Sequence, residues 1–243
     1  MRKIISLLAI VFLIGCSDSE TQSNSEIGQG GSLAVFAVKG NYLYCVDDMN
    51  LNVFSLTNKE KPVKVNQVAI GFNIETLFSY GENLFIGSRN GMFIYSITNP
   101  ENPTKLSAVQ HFTSCDPVIA NDSYSFVTLN SNTFCGNNIN VLQVYETKDL
   151  THPKLIHSRT LAQPKGIGFF GTDYLLVCDD VIKIFNIQNP AEPILATSID
   201  KRCFDVIVRN NTLFAIGDHA VYRYQLNPTN IKDITLLSEV NFF

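Results

Sequence analysis

The chain has 243 residues, of which 45% are hydrophobic and 16% charged, with 17 Phe, 9 Tyr and no Trp. Its length and apolar content permit one sizeable core, and the many aromatic residues favour sheets over long surface helices. The formal net charge is −4, and removal of Arg2 and Lys3 with a leader leaves 16 basic against 22 acidic residues, or −6. This acidic balance argues against nucleic acids and anionic lipid surfaces as partners.

The first fifteen residues have the pattern of a secretion signal. Arg2 and Lys3 form a basic start, and the apolar stretch 4–14 is too short to span a bilayer of about 30 Å as a helix. The stretch ends in Leu13-Ile14-Gly15-Cys16, which resembles the lipobox of bacterial lipoproteins. The resemblance implies that residues 1–15 are removed and that Cys16 is acylated on its thiol and on its new amino group. An ordinary signal peptide with a chance Cys is the alternative.

We expect residues 16–31 to be a lipidated Cys followed by a flexible tether. The tether is predicted because residues 17–31 include no aromatic and only one aliphatic residue. Several acyl chains, at about 0.8 kcal/mol per buried methylene, would anchor such a chain stably to a membrane. Ser17 after Cys16 resembles outer-membrane sorting, and Asp18 and Glu20 resemble the surface-export signal of Bacteroidetes lipoproteins. We therefore expect an outer-membrane lipoprotein of the bacterial cell envelope, with surface exposure as one option.

Residues 32–243 contain five copies of one unit of about 40 residues, each with a β-rich run around an aromatic residue and then a turn, in most copies with Asn or Pro. A single copy cannot bury its own apolar face, so the repeat indicates one supersecondary unit used in an array. The aromatic residues are spaced 41, 50, 40 and 39 positions apart, at Phe54, Tyr95, Tyr145, Phe185 and Tyr224.

Each unit reads as a four-stranded meander. In the last unit, short β-rich runs at 204–208, 213–216, 221–226 and 234–240 are separated by turns rich in Gly, Asn, Asp and Pro. The sequence therefore predicts an all-β, single-domain β-propeller of five four-stranded blades, at about 32–70, 71–112, 113–160, 161–199 and 200–243. A β-sandwich and an open β-solenoid are the alternatives. Because the first and last units each hold a full set of strands, we expect the ring to close by packing of blade on blade, without an exchanged strand.

Two units carry a family resemblance. Residues 92–100 read MFIYSITNP and residues 182–190 read IKIFNIQNP, and each is followed by Pro three positions on. They resemble the LVIVD repeat of bacterial propeller lipoproteins, which implies a propeller in the cell envelope. The five units depart from that repeat at its Asp, which is replaced by Ser55, Ser96, Glu146, Asn186 and Gln225.

Five cysteines remain after Cys16. The third unit is the longest and has a polar insertion at about 129–140 that holds Cys135, while Cys115 opens the same unit. In an oxidising envelope we expect these two to form a disulfide, worth roughly 3 kcal/mol for its loop of about twenty residues. Cys45 and Cys178 lie in hydrophobic surroundings and are expected to be buried thiols. No two cysteines have the spacing of zinc ligands, and we expect no metal or other cofactor.

Charged residues recur where the innermost strand of each blade should begin. Three carboxylates around one lysine could bind a cation or an amine, or act as acid and base in glycan hydrolysis. The alternative is that these side chains face solvent or cap strand ends, and the glycosidase hypothesis rests on fold analogy. The candidate channel residues are Glu75, Asp116, Lys165 and Asp205.

Aromatic residues offer a second type of candidate site. Tyr124, Phe126, Phe169 and Phe170 could face grooves between blades, although a place in the core explains them equally well. A binding module needs only a shaped surface, whereas an enzyme needs an acid and a base with perturbed pKa values. We therefore favour a non-catalytic module that binds a protein, glycan or small molecule over a glycan hydrolase.

Overall fold

The computed structural model describes residues 30–110, 117–130 and 139–242. Cys16, the leader and most of the predicted tether lie outside these ranges. The described residues form twenty β-strands, and among them no helix is long and apolar enough to cross a membrane.

The strands follow one another in groups of four. Blades 1 and 2 consist of β1 (Phe36–Lys39), β2 (Tyr42–Val46), β3 (Asn50–Ser55), β4 (Val63–Ala69), β5 (Ile74–Tyr80), β6 (Asn83–Ser88), β7 (Gly91–Ser96) and β8 (Thr104–Gln110). Blades 3 and 4 consist of β9 (Val118–Ala120), β10 (Tyr124–Asn130), β11 (Asn140–Glu146), β12 (Lys154–Thr160), β13 (Ile167–Phe170), β14 (Tyr174–Cys178), β15 (Ile182–Asn186) and β16 (Ile194–Ile199). Blade 5 consists of β17 (Asp205–Arg209), β18 (Thr212–Ile216), β19 (Ala220–Leu226) and β20 (Ile234–Asn241).

Each blade is an antiparallel sheet of four consecutive strands. The predicted five four-stranded blades are thus confirmed, and among the described strands none is exchanged between the first blade and the last. The tight first hairpin explains the glycines of the repeat, because Gly40, Gly81 and Gly171 have φ values between 54° and 60°. Asn210 takes the same conformation in blade 5, with a φ of 54°.

The aromatic residue of every repeat marks the same irregularity. In all five blades the pairing between the third and fourth strands shifts by one residue immediately before this aromatic residue. A β-bulge of this kind bends the sheet and increases its twist. The repeated motif therefore encodes a bend at a fixed point of each blade. The positions are Phe54, Tyr95, Tyr145, Phe185 and Tyr224.

The core lies between neighbouring blades. Four hydrophobic clusters join blade 1 to 2, 2 to 3, 3 to 4 and 4 to 5. Since blades 2–4 have a neighbour on each face, residues 84–88, 125–130 and 175–178 of their second strands are buried without interruption. In blade 1 only Tyr44 of the second strand is buried, and in blade 5 only Leu213 and Ala215 are, as expected for sheets covered on one face.

Between blades 5 and 1 the sheet faces stay open. On β1, Ala37 packs toward blade 2, while its neighbours Phe36 and Val38 point the other way and are 56% and 37% exposed. On blade 5, Ile216 is 39% exposed. None of the four clusters of described residues contains residues of both blades. The prediction that the ring closes by packing of blade on blade is therefore wrong for the described part of the chain.

The physical reason for these open sheet faces is that the backbone preceding β1 occupies the centre of the five blades. Ser32 and Leu33 lie against Asp205 of blade 5, and Leu77 of blade 2 donates a backbone hydrogen bond to Ala34 O at 2.7 Å. The segment 30–34 therefore links blade 5 to blades 1 and 2 in place of a sheet-on-sheet contact. Gly31, which the sequence assigns to the tether, belongs to this link.

One disulfide joins two cysteines whose pairing with each other the sequence does not predict. Cys178 at the end of β14 is bonded to Cys203, which precedes β17, with a Cα–Cα distance of 5.5 Å. The expectation of a buried thiol at Cys178 is thus wrong, because the two ends meet only when blade 5 packs on blade 4. Cys45 is a free thiol, as expected, but it is half-buried and not fully buried. The predicted bridge between Cys115 and Cys135 lies outside the described residues.

Candidate functional site

The predicted channel residues have separate partners. Glu75 accepts a hydrogen bond at 2.7 Å from Arg89 Nε of its own blade. The ammonium group of Lys165 lies over the ring of Phe204, 4.8 Å from its centroid. Asp205 is engaged by the segment 30–34, and Asp116 lies outside the described residues. The structure therefore does not show these charges meeting in one site.

Asp205 fastens the N-terminal segment to the centre of the propeller. Its Oδ1 accepts a hydrogen bond from Ser32 Oγ at 3.0 Å and its Oδ2 one from the Leu33 N–H at 3.2 Å. Ser32 Oγ in turn accepts a hydrogen bond from the Ile167 N–H of blade 4 at 2.8 Å. Burial raises the pKa of Asp205, and the hydrogen bonds from this segment oppose that rise. A side chain at Gly166 would clash with the Asp205 carboxylate, so Gly166 permits the close approach.

A small cavity lies beside Gly30 and Ser32. It has a volume of about 20 Å³ and is lined by residues of the innermost strands of blades 2 to 5. This is room for about one water molecule. Among the described residues, no group of three or more His, Cys, Asp or Glu side chains is placed to hold a metal ion.

A larger cleft opens at the opposite ends of the innermost strands. Glu75 lies near the start of β5, whereas Phe78 and Tyr80 at its other end line this cleft of about 560 Å³ between blades 2, 3 and 4. The volume is in the range of small-molecule sites. The remaining lining residues are Ala120, Asn121, Asp122, Ser123, Tyr124, Phe169, Gly171, Thr172, Asp173, Ile187, Gln188 and Pro190.

Four half-buried aromatic residues form the walls: Phe78, Tyr80, Tyr124 and Phe169. Phe169 is held edge-on by the buried Phe126, with ring centroids 5.5 Å apart. Tyr124 and Phe169 thus line a groove between blades, as one of the two interpretations of the sequence proposed. Phe126 and Phe170 belong to the core.

Polar turn residues form the rim. Tyr80 OH donates to Asp122 Oδ1 at 3.0 Å, and both burial and this carboxylate raise the pKa of Tyr80. Gln188 Nε2 donates to Asp173 Oδ2 at 3.1 Å. Several of these residues belong to the first hairpins of blades 3 and 4. Turn residues of this kind are common in sequences, and only the fold shows which turns border one cleft.

Known proteins are similar to this chain in structure only. No protein-family model matches the chain, and no curated protein matches its sequence. A protein from Lactobacillus plantarum superposes with a TM-score of 0.72 at 10% identity, over 86% of this chain and 71% of the other. The fold is a β-propeller. The periplasmic gluconolactonase PpgL of Pseudomonas aeruginosa gives a TM-score of 0.65 at 12% identity, over 83% of this chain and 68% of the other. BamB from Moraxella catarrhalis gives 0.59 at 12% identity, over 78% and 57%.

Proposed function

We propose that the chain is a cell-envelope lipoprotein of the LVIVD-repeat type, whose propeller is a non-catalytic module that binds a ligand in the cleft between blades 2, 3 and 4. The cleft is the observation that carries the proposal, because its four aromatic walls and polar rim form a concave surface of ligand size. The lipobox-like residues 13–16 support the anchor, and the acidic balance of the chain supports a partner other than a nucleic acid.

Binding is better supported than glycan hydrolysis. A glycosidase needs two carboxyl groups facing one sugar across a fixed distance. Here Glu75 is paired with Arg89, and Asp205 is occupied by Ser32 and Leu33. The gluconolactonase shares the fold but only 12% of the aligned residues, and a shared fold does not transfer an activity.

The anchor is tested by metabolic labelling with palmitate. We expect label on the wild-type protein and none on Cys16→Ala, because the acylated thiol is absent from the variant. Cys45→Ala is the matched control and keeps its label, since Cys45 is a half-buried thiol of the propeller. Equal labelling of the wild type and Cys16→Ala would contradict the lipoprotein proposal.

The cleft is tested by blocking it. Thr172 is exposed at the first hairpin of blade 4 and lines the cleft, whereas Asn211 holds the corresponding hairpin position of blade 5 outside it. In a calorimetric screen of saccharides, amines and peptides, we expect Thr172→Trp to lose binding that the wild type and Asn211→Trp retain. Binding that survives in Thr172→Trp would place the site elsewhere.

A further inference from the structure

The cleft between blades 2, 3 and 4 has an unbalanced charge. The lining residues that the structure describes include two carboxylates, Asp122 and Asp173, and no Lys, Arg or His. These two turn residues place negative charge on two sides of the cleft, and no basic side chain among the described lining residues neutralises it. An anionic ligand would be repelled there, and a positively charged one attracted.

The aromatic walls favour the same sign of charge. The face of an aromatic ring is the negative end of its quadrupole and attracts a cation within about 6 Å of the ring centroid. Phe78 and Tyr80 approach from blade 2, Tyr124 from blade 3 and Phe169 from blade 4, so rings border the cleft on three sides. Several rings around one site are the arrangement that suits substituted ammonium groups, whose apolar substituents also gain from contact with the rings.

The carboxylates are held in place but keep capacity for a ligand. Asp122 Oδ1 accepts a hydrogen bond from Tyr80 OH, while Oδ2 has no hydrogen-bond partner among the described residues. Asp173 is fixed by Thr172 Oγ1 at 3.0 Å and by Gln188 Nε2 at 3.1 Å. Neutral donors hold both carboxylates, and no cationic side chain among the described lining residues pairs with their negative charges.

We propose that the ligand of this cleft is a small molecule bearing a substituted ammonium group. The inference rests on the proposed function, since it names the class of ligand for the same site. The ammonium group lies among the four rings, and the Asp122 and Asp173 carboxylates supply the opposite charge. A neutral molecule of the same shape gains the apolar contacts but neither the ring–cation attraction nor the ion pairing.

The test compares choline with its uncharged isostere 3,3-dimethyl-1-butanol, by calorimetry on the purified full chain. We expect choline to bind at least about tenfold more tightly than the isostere. We also expect the affinity for choline to fall as the salt concentration rises. Asp122→Asn removes one charge while keeping the size of the side chain, and we expect its affinity for choline to fall by about five- to tenfold.

Glu82→Gln is the matched control. Glu82 occupies the same hairpin position in blade 2, is paired with Lys39 at 3.2 Å and does not line the cleft. It removes one carboxylate from the protein, so an unchanged affinity for choline in Glu82→Gln separates the local effect of Asp122 from that of net charge.

The outcomes distinguish the ligand class from the site. Equal binding of choline and its isostere, no binding of choline, or equal losses in Asp122→Asn and Glu82→Gln would overturn the ammonium proposal. In those cases the blocking variant Thr172→Trp tests the cleft itself. If Thr172→Trp loses the binding of another ligand, the proposed function stands. If its binding of that ligand is unchanged, the proposed function is wrong.

Discussion

Replacement of Ser32 by Ala tests the link between the N-terminal segment and the propeller. Ser32 is 2% exposed, and its hydroxyl donates to Asp205 Oδ1 while it accepts from the Ile167 N–H. The variant leaves the buried Ile167 N–H without that acceptor and removes one donor from the Asp205 carboxylate. A buried group that loses its partner costs about 1–3 kcal/mol, so we expect the free energy of unfolding to fall by about 2–4 kcal/mol.

Urea denaturation followed by far-UV circular dichroism measures this loss. The control is Ser79→Ala on β5, because Ser79 Oγ is buried and has no hydrogen-bond partner within the described part of the chain. Its removal leaves no other group unpaired, so we expect Ser79→Ala to stay within about 0.5 kcal/mol of the wild type. If Ser32→Ala is as stable as Ser79→Ala, the segment 30–34 does not hold the blades together as described.

Three further outcomes follow from the fold. Phe36 is 56% exposed, whereas Phe126 is fully buried. In urea denaturation, Phe36→Ala should lower the free energy of unfolding by less than about 1 kcal/mol and Phe126→Ala by about 3–5 kcal/mol. Equal losses of stability would mean that blades 1 and 5 close on each other. Cys178→Ser opens a 25-residue loop and should lower stability by about 3.5 kcal/mol, a difference that disappears when both proteins are measured under a reducing agent. Burial raises the pKa of Asp205, so the Asp205 carboxyl binds a proton more tightly in the folded protein than in the unfolded one. The stability of the wild type relative to Asp205→Asn should therefore rise as the pH falls from 7 to about 4. A constant difference in stability across that range would contradict a raised pKa.

The sequence by itself determined the repeated part of the molecule. The alternation of apolar residues and the positions of Gly, Asn and Pro predict strands and turns because both depend on neighbours within one blade. The aromatic residue at Phe54 and its counterparts mark the bulge of each sheet for the same reason. Five similar units therefore gave the number of blades and the number of strands in each.

The tertiary structure decided which residues of different blades meet. Ser32 and Asp205 are 173 positions apart, and no local pattern records that they bond across the centre of the propeller. Cys178 and Cys203 likewise come together only through the packing of blade 5 on blade 4. The cleft draws its walls and charges from three blades, so its geometry depends on the angle between sheets. A repeat fixes the inside of each blade, but the placing of one blade against the next depends on the packing of whole sheet faces and of the segment that enters between them.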